Sequence, residues 1–179
     1  WAKKNPENVA VSTAANSQAA PQLISDGAGG AIIVWEDFRS GKGRIYAQRI
    51  DSSGFPVWTV DGEPVSNAVN DQRAPQLVSD GAGGAIIVWN DFRSGSTSDI
   101  YAQRIDSSDP IYPGWLSNGV PVVTIGGDQA SPAIVSDGAS GAIVAWQDGR
   151  SCSRIYAQRI RADGTLPGSW PAGGTALSS

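Results

Sequence analysis

An internal repeat constrains the fold of this chain more than any other feature. The segment 75–106, PQLVSDGAGGAIIVWNDFRSGSTSDIYAQRID, recurs almost verbatim at 21–51 and more loosely at 132–160. A constant spacing of 55 residues separates the equivalent tyrosines of the three copies, Tyr46, Tyr101 and Tyr156. Such a period indicates one supersecondary unit used three times, so the fold has to be argued from that unit.

Each copy reads as four short strands joined by tight turns. In the first copy an apolar strand, Gln22–Ser25, leads into the turn Asp26–Gly30, and an Asp-Gly pair between apolar runs predicts a hairpin. The second strand, 31–39, has a continuously apolar first half, which predicts burial on both faces. The third, IYAQRI at 45–50, is identical in every copy and alternates between two faces. A fourth, irregular strand carries a second tryptophan series, Trp1, Trp58, Trp115 and Trp170.

Four antiparallel strands per roughly 55 residues, with no helical pattern, are typical of a β-propeller blade. A stacked β-solenoid and a plain sandwich are the alternatives, but solenoid repeats are usually shorter and sandwiches do not repeat internally. We therefore predict an all-β chain of three propeller-type, four-stranded antiparallel blades. The predicted boundaries are the outer strand and link of a preceding blade at 1–20, and blades at 21–66, 67–123 and 124–179.

Three blades are too few to close, because closed propellers use about four to eight. We expect an open array, part of a longer ring, or a ring completed by another chain, such as six blades from two copies. The chain starts at Trp1 and contains no methionine, which we interpret as a processed piece of a larger parent protein.

Composition argues against several classes of function. A net charge of -4 disfavours a nucleic-acid partner, which needs a basic surface.

The absence of histidine removes the commonest general base and metal ligand. The single cysteine, Cys152, excludes an internal disulfide framework and a thiolate metal site, and one carboxylate per Asp-Gly turn falls short of the roughly six to eight oxygens that calcium takes. No apolar run reaches transmembrane length. We predict no cofactor, no metal and no membrane insertion.

The Trp-x-Asp-x-Arg motif is the sharpest chemical feature, because its three residues share one face of a strand. An aromatic platform beside a carboxylate and a guanidinium would hold a sugar. Alternatively, the indole packs between blades and the Asp pairs with an arginine, either that of the motif or Arg49. Residues present in every unit favour this structural interpretation. The candidate ligand-binding set is Trp35, Asp37, Arg39, Trp89, Asp91, Arg93, Trp146, Asp148 and Arg150.

An enzyme would require a constellation that one unit has and the others lack, and none is visible. We therefore predict a non-catalytic protein. Specificity is expected at positions that differ between units, namely the loops between the second and third strands and the series Glu36, Asn90 and Gln147.

The motifs SDGxGGAIIxWxDxR and IYAQRI resemble the repeats of large secreted bacterial proteins that are propeller-like. The resemblance covers essentially the whole chain. It implies an extracellular or cell-surface location and a binding or scaffold role. The implied partners are a glycan or surface protein, and the remainder of the parent protein or further copies of the chain. A structural repeat that assembles into a ring or fibre is the alternative.

A more distant likeness is to the Asp-box hairpins of sialidase-like propellers, where Ser, Asp, Gly and Trp also recur in one turn. The nine residues from Asp26 to Trp35 exceed the spacing of that motif. This likeness implies a propeller fold. A fragment of a sialidase-like glycosidase, with one of the repeated tyrosines as nucleophile, is the lesser functional alternative.

Overall fold

The structure, a computed structural model, describes residues 8–108 and 113–178. Within these residues, all of the elements are β-strands. The same residues contain no helix that is long and apolar enough to cross a membrane. The strands form three four-stranded antiparallel sheets, in each of which spatial order follows chain order. The all-β, blade-type architecture predicted from the repeats is therefore confirmed.

The strands of the three sheets match one another closely in position and length. The first blade contains β1 (Gln18–Ser25), β2 (Ala31–Asp37), β3 (Arg44–Ile50) and β4 (Glu63–Pro64). The second contains β5 (Gln72–Ser79), β6 (Ala85–Asp91), β7 (Asp99–Ile105) and β8 (Val120–Val123). The third contains β9 (Gln129–Ser136), β10 (Ala142–Asp148), β11 (Arg154–Ile160) and β12 (Thr175–Ala176).

The hairpin between β1 and β2 is closed by the side chain of Asp26. Its Oδ1 accepts hydrogen bonds from the backbone N–H groups of Ala28 and Gly30, both at 2.8 Å. A Cβ at Gly30 would lie 2.1 Å from the carbonyl oxygen of Ile50, so only glycine fits where the turn passes β3. The predicted hairpin and its capping by aspartate are both confirmed.

Three strand predictions need correction. The second strand was predicted over 31–39 but ends at Asp37. The first strand begins at Gln18, not Gln22, because a β-bulge carries it past Pro21, which has no N–H to donate. Ala20 in that bulge has a positive φ of 51°. The second tryptophan series does not lie in the fourth strand: Trp58 precedes β4 in a loop, and Trp1 lies outside the described residues.

The second blade lies between the other two. One apolar cluster joins the first and second blades, and another joins the second and third. Accordingly Ile86 and Ile87, neighbours in β6, are both 0% exposed, as the two-sided burial prediction requires. The prediction is wrong for the flanking blades, where Ile33 of β2 and Ile143 of β10 are half-buried. Each of the two side chains faces away from the second blade, because the three sheets form an open array.

The outer strand and link predicted at 1–20 are described from residue 8 onward. Residues 8–17 contain no strand, residues 18–20 belong to β1 of the first blade, and residues 1–7 lie outside the described ranges. The segment is tied to the first blade nonetheless, since the Thr13 backbone N–H donates to the Asp61 carboxylate at 2.5 Å. Asn67 makes the equivalent bond to Asn118 at 2.9 Å in the next blade. This segment therefore follows the path of an interblade link.

Candidate functional site

Each blade contains one buried four-residue brace, formed by the Trp-x-Asp-x-Arg motif and the tyrosine of the third strand. In the second blade the Trp89 indole Nε1 donates to Asp91 Oδ2 at 2.8 Å. The Arg93 guanidinium donates to both Asp91 oxygens, from Nε to Oδ1 at 2.8 Å and from Nη2 to Oδ2 at 2.7 Å. The same guanidinium lies 3.6 Å from the centroid of the Tyr101 ring and donates to the Asn118 carbonyl at 2.7 Å. The brace thus ties β6 to β7 and to the loop before β8.

The other two braces have the same geometry. The indole-to-carboxylate distances are 2.9 Å in the first blade and 2.8 Å in the third. The guanidinium lies 4.0 Å and 3.9 Å from the centroid of the tyrosine ring. These braces consist of Trp35, Asp37, Arg39 and Tyr46, and of Trp146, Asp148, Arg150 and Tyr156.

The structure brings all nine residues of the candidate ligand-binding set together within these braces. The three tryptophans are 4%, 0% and 1% exposed, and the three aspartates are 0% exposed. The arginine side chains alone reach solvent, at 24%, 22% and 25%. An aromatic platform for a sugar needs an exposed ring face, which Trp35, Trp89 and Trp146 do not present. The geometry favours the structural interpretation of the motif.

Hydrogen bonding decides the charge state of two of the brace carboxylates, those of Asp37 and Asp148. Burial alone would raise the pKa of Asp37, but the hydrogen bonds from Arg39 and Trp35 outweigh it and hold the pKa below its usual value. The same opposition lowers the pKa of Asp148. Burial raises the pKa of the Tyr101 hydroxyl. A raised pKa leaves less phenolate near neutral pH, the opposite of what a tyrosine nucleophile needs.

A second ion pair in each blade was missed by sequence reasoning. The turn carboxylate of Asp26 accepts from Arg49 Nε at 2.9 Å, whereas the sequence had allowed Arg49 to pair with the brace carboxylate. Arg49 Nη1 also reaches the next blade, where it donates to the Ser107 carbonyl at 3.1 Å. Arg104 pairs with Asp80 in the same way. The one available signal was the invariant arginine of IYAQRI.

The invariant glutamine of the third strand is a further residue that the sequence did not single out. Gln103 is 0% exposed. Its Nε2 donates to the Leu116 carbonyl at 2.8 Å, and its Oε1 accepts from the Arg104 backbone N–H at 3.0 Å. Gln48 and Gln158 make matching bonds. A buried amide at the same place in every blade holds the loop that precedes the fourth strand.

Residues that differ between blades divide into two groups. The loops between second and third strands are exposed at Lys42, at Ser96 and at Cys152, a free thiol. A shallow groove lined by Asn16, Ser17, Phe38 and Gly41 opens beside the first of these loops. Glu36, which we expected to confer specificity, instead joins blades, since it accepts from the Ala74 N–H at 2.7 Å and pairs with Arg73 at 3.3 Å.

In the described ranges, no group of three or more Cys, Asp or Glu side chains is arranged to hold a metal ion. A comparison of the chain with protein-family models gives no match, and a comparison with curated proteins gives none either. The resemblance to secreted bacterial propeller-like repeats stays a prediction that rests on the motifs themselves.

Proposed function

We propose that this chain is a non-catalytic scaffold and binding module for an extracellular partner. In this proposal a repeated frame, made of the three sheets with their braces and Asp–Arg ion pairs, holds variable loops along one rim for recognition. One observation carries the proposal. The aspartates, tryptophans and arginines repeated in all three blades are engaged in hydrogen bonds and ion pairs, whereas Lys42, Ser96 and Cys152, at loop positions that differ between blades, are exposed.

The carboxylates that could act in catalysis are engaged in hydrogen bonds and ion pairs within the frame. Asp91 is saturated by Trp89 and Arg93, and Asp80 is held by Arg104 and by two turn N–H groups. A general acid or nucleophile has to reach a substrate, and these carboxylates are 0% and 1% exposed. Their arrangement supports a structural role for the repeated residues.

The rim loops supply the variation that recognition requires. Lys42 places a cation on the first loop, Ser96 a hydroxyl on the second and Cys152 a thiol on the third. The loops differ in length while the strands around them do not, as is usual for the binding face of repeat proteins. The secreted-protein resemblance points to a glycan or a surface protein as the partner, outside the cell.

Glycan and extracellular-protein arrays probed with the full chain test this proposal. Lys42→Glu combined with Ser96→Glu should abolish a hit. Ser53→Glu, at the opposite end of β3, is the matched control and should leave the hit intact. Equal loss with both variants, a blank from folded protein, or hydrolysis of a glycoside reporter by the purified chain would each contradict the proposal.

A purely structural role, in which blades assemble further, is the second candidate. The exposed apolar residues on the outer faces of the array favour it, among them Leu23, Val135 and Ile155.

A further inference from the structure

The outward face of the third blade repeats the face by which each other blade packs on its successor. Ile155 on that face is 44% exposed, whereas its equivalents Ile45 and Ile100 are 0% exposed at the two interior junctions. Leu177 and Val135 are also exposed, at 61% and 57%. A terminal repeat that ends an array normally carries a polar outer face. The third blade instead presents an interior face to solvent.

The outward face of the first blade is the complementary half of the same junction. Leu23 is 65% exposed, whereas its equivalent Leu77 is partly buried against the first interblade cluster. Pro21 is exposed, although Pro75 and Pro132 are buried at the interior junctions. This face has the chemistry that receives a preceding blade.

Backbone groups at the two outward faces also match those of the interior junctions. The N–H groups of the first residues of β5 and β9 donate to the carbonyls of Gly43 and Ser98, both at 2.8 Å. The equivalent groups on the outward faces are the N–H of Gln18 and the carbonyl of Ser153. Gln18 is the first residue of β1, as Gln72 is of β5. Ser153 directly precedes β11, as Gly43 directly precedes β3.

The third-strand arginines mark the same junction. Arg49 and Arg104 each donate from Nη1 to a carbonyl of the following blade, both at 3.1 Å. Arg159 is the equivalent residue of the third blade and its side chain is 37% exposed, against 21% and 8% for the other two. The carbonyl that corresponds to its missing acceptor is that of Ser52 in a first blade.

We propose that the third blade of one copy packs on the first blade of a second copy, and that two copies close into a six-bladed ring. Both outward faces are halves of a junction that this chain already makes twice, which identifies the occupant as another blade of the same repeat. Head-to-tail contacts give rings when the rotation closes. Two copies fall within the roughly four to eight blades of closed propellers, and three copies do not. Ring closure does not depend on rim binding.

Ring closure requires one local displacement. Segment 11–17 follows on the first blade the path that segment 65–71 follows on the second, with the same serine-to-backbone hydrogen bond near its start. Val11 therefore occupies, on the first blade, the position that Val65 occupies at the interior junction. Leu177 is the third-blade equivalent of Val65, so Leu177 of the other copy would take that same position in the ring. Since only one segment can occupy that place, segment 11–17 moves aside at each new junction.

Three single variants of the full chain test the ring by light scattering after gel filtration. Val135→Lys places a charge on the outward face of the third blade, and Leu23→Lys does so on that of the first. Val60→Lys, at a residue 85% exposed on the loop before β4, is the matched control. Wild type and the control should have the mass of two 18.5 kDa chains, and either face variant alone the mass of one.

Mixing the two face variants gives the sharpest outcome. A mixed pair retains one wild-type junction, so a two-chain species should return, whereas neither variant forms it alone. Ile155→Lys repeats the test at a second exposed position. A monomeric wild type, open-ended polymers, or a dimer that Val135→Lys abolishes and Leu23→Lys leaves intact would each overturn the proposal.

Discussion

The indole N–H of Trp89 donates a 2.8 Å hydrogen bond to the carboxylate of Asp91, and both side chains are 0% exposed. The same pairing occurs in the two other blades. A buried carboxylate is stable only when charges or hydrogen bonds compensate it, and here the indole and a guanidinium do so. The motif that most resembles a binding site is therefore part of what holds each blade together.

Asp91→Asn should destabilise the protein by about 3 kcal/mol, because it leaves the Arg93 guanidinium without its charge partner. This is the lower end of the range for buried pairs, since the Arg93 side chain is 22% exposed. Urea denaturation followed by tryptophan fluorescence measures the loss. Asp163→Asn, at an exposed turn carboxylate whose hydrogen bonds from Thr165 an asparagine oxygen can still accept, is the control and should shift the midpoint much less. Equal midpoints for both variants would argue against the brace.

Gly119→Ala should cost about 2 kcal/mol or more, because overpacking against a fixed ring is added to backbone strain. Gly119 has φ of +82°, and a Cβ there would lie 2.6 Å from the Trp89 ring. Gly81→Ala is the matched control, since Gly81 has φ of +77° but nothing within 4 Å of its Cβ position. Thermal unfolding should separate the two variants by several degrees. If they melt together, the ring of Trp89 is not fixed against the loop.

Sequence patterns predicted the four-stranded unit, the Asp-capped turn and the Trp-Asp-Arg part of the brace, because these depend on residues close in the chain. The tyrosine of the brace was not predicted, since it comes from the neighbouring strand. The start of β1 at Gln18 could not be predicted, since it depends on a bulge with positive φ at Ala20. The pairing of Arg49 with Asp26 depends on the register of β2 against β3, which places the turn between β1 and β2 next to Arg49 and which spacing does not specify. The exposure of Ile155 escaped prediction because its sequence context is identical to that of buried Ile45.

Asp99→Asn should stabilise the protein at pH 7 by about 0.5–2 kcal/mol, the range usual for optimised charges. Burial and the nearby charge of Asp91 raise the pKa of Asp99, which stands where the other copies have Arg44 and Arg154. A raised folded-state pKa means that this carboxyl favours folding while protonated and opposes it once ionised. The gain should therefore shrink towards pH 3. A gain independent of pH would contradict this electrostatic cause.

Acid should unfold the protein below about pH 4. Burial alone would raise the pKa values of Asp26 and Asp137, but hydrogen bonds from turn N–H groups and arginines lower them, and brace hydrogen bonds lower that of Asp148. A lowered folded-state pKa contributes stability above the unfolded value of about 3.9, and this is lost as pH falls through the folded value. Denaturation from pH 7 to pH 2 should show the fall, and Asp148→Asn should make it shallower. A flat profile would contradict these pairings.

Hydrogen exchange of the tryptophan indoles tests the structural role of the braces most directly. Nitrogen-resolved NMR after transfer into heavy water follows each indole N–H, with single Trp→Phe variants to assign the signals. We expect the signals of Trp35, Trp89 and Trp146 to persist long after exposed backbone amides have exchanged, with or without added glycans. Exchange of these three indoles at the rate of a solvent-exposed indole would contradict the buried braces and return the motif to consideration as a binding surface.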